Sequence, residues 1–122
     1  AHRGDEAMAP FTKALKKGLN DLQAASLWLM QNAVQKPDNA GAASHDYMHL
    51  MGLVALGYMW GRMVKKAQEQ IAAGANGDAS FLEAKIATGR YFMERVMPET
   101  AAHLARISTG ADAMMALPEE AF

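Results

Sequence analysis

Residues 47–64 read YMHLMGLVALGYMWGRMV, a stretch that is apolar on nearly every side of a helix. A surface helix carries one apolar stripe, whereas a helix that is apolar all round must be enclosed by other protein. The uninterrupted apolar run covers only residues 50–61, between His49 and Arg62. That is well short of the roughly 20 residues that a membrane span requires. The segment is therefore expected to be the central post of a packed helical domain, with no membrane span.

Punctuation divides the rest of the chain. A first helix is expected over residues 7–35, where Met8, Phe11, Leu15, Leu19, Leu22, Ser26, Leu29 or Met30, and Ala33 recur at three- and four-residue steps. Asp5 and Glu6 suit its positive end. Pro10 fits only in a first turn, which places the start near Met8 or Ala9. The cluster KPDNAG at 36–41 stops this helix. A second helix is expected over residues 42–73, capped at Ser44, with Asp38 or Asn39 as earlier alternatives. Residues 74–77, GANG, end it. A third helix opens at Asp78 or Ser80, the latter forming a capping box with Glu83. Pro98 should kink or break it, leaving a fourth piece over residues 99–108 that Gly110 closes. One more turn over 111–116 is expected before Pro118. No strand pattern occurs. The expected fold is an all-α, up-and-down bundle of three long helices, the third kinked at Pro98, plus a short C-terminal helical piece.

Composition narrows the function classes. A chain of 122 residues, 51% hydrophobic and 20% charged, suits one domain with one core, spanning 1–122. A net charge of -1 with scattered lysines and arginines argues against nucleic acid as a partner. There is no cysteine, which removes disulfides, thiolate metal sites and thiol nucleophiles together and suits a reducing, cytoplasmic setting. The N-terminal AHRGDEAMAP has no apolar signal-peptide core, and the missing initiator Met leaves open that the chain is part of something longer. Ten methionines serve either as gap fillers in the core or as an adaptable binding surface, and their helical spacing favours the core.

Few residues invite a chemical reading. His45 and His49 share a helix face and could join His103 or Asp46 around a divalent metal. The helical zinc motif needs Glu directly after the first His, however, and that place holds Asp46. Glu99 and His103 are four apart, whereas the di-metal bundle motif spaces them by three. Gly57 and Gly61 form a G-x-x-x-G pair, and with Gly52 they suggest a neighbouring helix at close range, which would offset the helix cost of about 1 kcal/mol for each glycine. Trp60, Tyr91 and Phe92 are expected in the same core packing, and Trp28, Tyr47 and Tyr58 likewise. No nucleophile elbow, P-loop or dinucleotide fingerprint is present. Neither a catalytic nor a cofactor-binding residue is expected.

The segment LMGLVALGYMW at 50–60 resembles the signature of a C-terminal domain found in a bacterial subgroup of acyl-CoA dehydrogenases. Later pieces agree with that domain's third helix and end, in the right order: FLEAK at 81–85 followed by Ala87, GRYF at 89–92, VMPET at 96–100, Gly110, and AMMALP at 113–118. The resemblance implies an accessory, C-terminal fragment of a longer flavoprotein. In that family, FAD removes two hydrogens across the α and β carbons of an acyl-CoA thioester, and a glutamate of the preceding domains is the base. The partners implied are the rest of the dehydrogenase chain, with a second subunit as a further candidate, and acyl-CoA as the parent's substrate. No residue here matches the catalytic segment.

Two readings are open. An accessory domain should leave an outward apolar patch, Met-rich or aromatic, where the body covers it. The alternative is a stand-alone bundle, which should enclose a pocket for a small apolar ligand, or converge His45, His49 and carboxylates on a metal.

Overall fold

Pro10 and Pro37 set where the first two helices begin. Proline lacks an N–H, and in the first turn of a helix that donor has no partner anyway. In the computed structural model, which describes residues 6–74 and 79–122, a 3-10 turn Glu6–Met8 leads into α1, Ala9–Asn32, with Pro10 at its start. Helix α2, Pro37–Ala72, begins on Pro37. The cluster at 36–41 thus ends α1 but also supplies the first turn of α2, five residues before the expected start at 42. Ser44 is not a cap; its hydroxyl donates to the Gly41 carbonyl within the helix. With 36 residues, α2 is about 54 Å long. Gly74 ends it with φ +66, a backbone state that costs other residues dearly.

The third rod is built in pieces: α3, Ala79–Tyr91, a π-helical turn Phe92–Val96, and α4, Glu99–Ile107. The cap expected at Asp78 lies outside the described residues, as do Asp5 and the residues after Gly74 up to Asp78. Ser80 sits inside the helix. The π turn has a plain cause. Pro98 donates no hydrogen bond, and its ring crowds the preceding turn of an α-helix. The chain widens instead, and the Met97 N–H reaches back to the Phe92 carbonyl at 2.9 Å. After α4, Gly110 turns the chain with φ +72. The expected final turn is present, with the Met115 N–H donating to the Ala111 carbonyl at 3.0 Å. A 3-10 turn, Glu119–Ala121, comes after Pro118. All regular structure among the described residues is helical.

The three rods run up, down and up. Phe11 of α1 and Val64 of α2 share one core cluster with Met8, Met93 and Met97. Ala25, Ala43, Leu50, Val54 and Ile107 form a second cluster toward the other end. Between them the Met97 side chain occupies a recess made by two glycines. A Cβ on Gly18 would lie 2.6 Å from Met97 Cε, and one on Gly57 would lie 2.9 Å from Met97 Sδ. The π turn carries Met93 and Met97 inward, and both are buried.

Close glycine packing is expected at Gly52, Gly57 and Gly61. Gly57 makes such an approach, whereas a Cβ at Gly52 or Gly61 would meet no neighbouring atom within 4 Å. Gly89, which is not among the glycines expected to pack closely, makes a closer approach: a Cβ there would lie 2.6 Å from Val64 Cγ2 and 3.3 Å from both Phe11 and Trp60. Trp60 is half-buried and stacks on Phe92 at 6.2 Å between ring centres. Tyr91, expected in the core, is exposed.

These contrasts order the alanine substitutions. Gly89→Ala meets a stiff, β-branched neighbour and should cost about 1–3 kcal/mol. Gly52→Ala and Gly61→Ala have space and should gain about 0.5–1 kcal/mol from helix propensity. Urea unfolding midpoints of the three variants check the order. A midpoint raised by Gly89→Ala would contradict the packing.

Candidate functional site

Polar side chains in the interior tie the rods together. The Asp46 carboxylate of α2 is 13% exposed and receives a hydrogen bond from Arg106 Nε of α4 at 2.8 Å. His103 Nδ1 lies 2.8 Å from the same oxygen and 3.0 Å from Arg106 Nη2. With its proton on Nδ1 the imidazole donates to the carboxylate; without it, Nδ1 accepts from the guanidinium. Burial pushes the Asp46 carboxyl up, but hydrogen bonds and charge from His103 and Arg106 outweigh this and hold it below the usual carboxylate value. Asp21 of α1 is likewise engaged, accepting from Thr100 Oγ1 of α4 at 2.8 Å and from Lys17. Ser26 and Tyr47 pair their hydroxyls across α1 and α2 at 2.5 Å. Asn39 uses both ends of its amide: Nδ2 donates to the Asn32 carbonyl at 2.9 Å, and Oδ1 accepts from the Ala111 N–H at 2.9 Å.

The histidines lie close together, with His49 stacked on His103. The His45 and His49 rings are 4.2 Å apart between centres, and His49 and His103 are 5.7 Å apart. Among the described residues, no group of three His, Asp or Glu side chains is placed to hold a metal ion.

The feature that stands out is the outer side of α2. Its buried stripe runs through Asp46, Leu50, Val54, Gly57, Gly61 and Val64. On the opposite side, Met48, Met51, Leu56 and Met59, which share one broad face of the helix, are between 49% and 63% exposed. This corrects the expectation that α2 is wrapped all round. In a three-rod bundle each helix has two neighbours, and they cover only part of its circumference. A second apolar stripe therefore faces outward over several turns. No helix among the described residues is long and apolar enough to cross a membrane.

This face continues into an open groove of about 570 Å³ between the end of α1 and the first half of α2. Leu29 and Ala33 form one wall, and Ala43, Tyr47, Met48 and Met51 the other. Its two hydroxyls are already engaged, Ser44 with Gly41 and Tyr47 with Ser26. The groove offers apolar contact and few free polar groups.

The sequence places the molecule in a known class. Residues 1–118 match the model of the Acetyl-CoA dehydrogenase C-terminal like family, and the chain belongs to that family. A curated relative is 3-methylmercaptopropionyl-CoA dehydrogenase of Ruegeria pomeroyi, 37% identical over 87 residues. The match covers 71% of this chain and 14% of that protein, so the chain spans a small part of its relative's length.

The Asp46 network yields a prediction with a definite sign. A carboxyl whose folded pKa lies below its unfolded value of about 3.9 stabilises the fold fully above that value. The contribution is lost as pH falls from about 4 through the folded value. Asp46→Asn should therefore cost about 1–3 kcal/mol at pH 7 and lose less stability than the wild type on acidification. Urea unfolding at neutral pH and along an acid series measures both effects.

Proposed function

We propose that this chain is the accessory C-terminal domain of an FAD-dependent acyl-CoA dehydrogenase. Its work is to pack on the catalytic body, or on a neighbouring subunit, of an enzyme whose chemistry lies elsewhere in the polypeptide. The family match over residues 1–118, together with a match that covers 14% of a dehydrogenase relative, carries this reading. The outward apolar stripe supports it, because a protein that works alone seldom leaves such a face to water.

The chemistry belongs to the proposed parent: FAD accepting two hydrogens from the α and β carbons of an acyl-CoA thioester. The apolar groove does not fit a flavin. Its pyrophosphate needs free donors, while the apolar groove holds two hydroxyls already engaged inside the domain. No step is therefore assigned to this domain. The groove does fall in the size range of small-ligand pockets, which is the one observation favouring a stand-alone binding bundle. Its walls are shared with the Met face, and this suits a protein surface better than an enclosed ligand. The absence of cysteine accords with a cytoplasmic enzyme.

The test compares two preparations. The full-length protein carrying this domain should bind FAD and bleach it on addition of acyl-CoA. The 122-residue chain should bind neither stoichiometric FAD nor metal and should show no turnover. Oxidation of acyl-CoA by the 122 residues unaided would overturn the reading, as would a full-length protein without flavin.

A further inference from the structure

We propose that the outward face of α2 is the seat of the preceding catalytic body of the same polypeptide, and that the body meets it with an apolar helix flanked by carboxylates. This rests on the accessory-domain reading and adds the surface and the chemistry of what covers it.

Three observations select the occupant. The first is the kind of surface. Every peptide group in the middle of α2 is engaged within the helix, so the face offers no sheet edge for a strand to extend. It offers side chains alone: methionines and a leucine standing around Gly52 and Ala55, both exposed, with open space beside Gly52. A second helix packs on such a surface by setting its ridges into the recess, and methionine adapts its shape to an irregular partner.

The second is the amount of chain available. The curated relative devotes 14% of its length to the matched region, which leaves most of such a protein to cover this face.

The third is charge. Arg62 and Lys66 are exposed at one end of the stripe, and His45 and His49 are exposed at the other. No Asp or Glu occurs between residues 47 and 68. A second copy of α2 laid antiparallel would set Arg62 and Lys66 against the histidines; one laid parallel would set Arg62 against itself, with the exposed Glu69 beside Lys66 but two turns from Arg62. Neither sets a carboxylate on Arg62. A different surface, with acidic groups at that end, satisfies it.

The methionines supply their own probe. Peroxide converts an accessible methionine to its sulfoxide, and peptide mass spectrometry reads each position separately. The experiment uses the full-length wild-type protein carrying this domain, with the same protein unfolded in urea as the reference rate. Flavin content is measured on the same sample. Met51 and Met59, each 49% exposed in the domain by itself, should oxidise at least tenfold more slowly in the native full-length protein than in urea. Their protection should persist on dilution. Rates within threefold of the unfolded reference, in a protein that holds flavin, would overturn this surface while leaving the accessory-domain reading intact. Protection lost on dilution would assign the face to a second copy and also overturn the proposal. A full-length protein without flavin would remove the reading on which the proposal stands.

Discussion

The Met97 side chain, lodged between Gly18 and Gly57, is the contact on which the three-rod arrangement depends. It lies where all three rods meet, and its neighbours could not approach as closely if either glycine carried a side chain. Methionine suits the place because it is unbranched and can thread a narrow recess. The recess in turn lets α1 and α2 come near enough to enclose Val54 and Thr100 beside it. Met97 belongs to one core cluster, and Val54, which also lies against Gly18, to the other.

The position of Met97 is set by the backbone before Pro98. In an uninterrupted α-helix, a proline there would clash with the turn above it and waste a carbonyl. The π turn resolves the conflict and shifts the register of the residues beyond it. Residues 93 and 97 are both buried, while α4 starts afresh with His103 and Ile107 buried as well. One proline thus joins a core made of methionines to a helix that brings Arg106 and His103 onto Asp46.

The helical period, the two interruptions near 37 and 98, and the closing glycine are all legible from residue order. The true start of α2 is harder to read, because Pro37, Asn39 and Gly41 are breakers in isolation and become a first turn only when α1 ends just before them. Gly52, Gly57 and Gly61 look alike in sequence. Only the packing of the third rod separates Gly57, which faces Met97, from the other two. Gly89 gives no signal of its own, since its reason lies in Val64, far away along the chain. The larger difference concerns α2. Composition shows that a helix is apolar on all sides, but the number of neighbours decides which sides are covered. A Met-rich outward patch is expected of an accessory domain, but which residues form it, Met48, Met51, Leu56 and Met59, is legible only once the neighbours of α2 are placed. Asp46 and His103 have the chemistry of metal ligands; the arginine that engages them both is 60 residues along the chain from Asp46, on another helix.

Asn39 shows how narrowly one position can be specified. Its amide gives a hydrogen to the end of α1 and takes one from Ala111, 72 residues further on. Aspartate at this position would keep the acceptor and lose the donor, and leucine would keep neither. Slow hydrolysis of this single amide, an ordinary route of chemical ageing for asparagine, would produce that aspartate. The link would then keep Ala111 and lose the end of α1, in a molecule of unchanged outline and nearly unchanged mass.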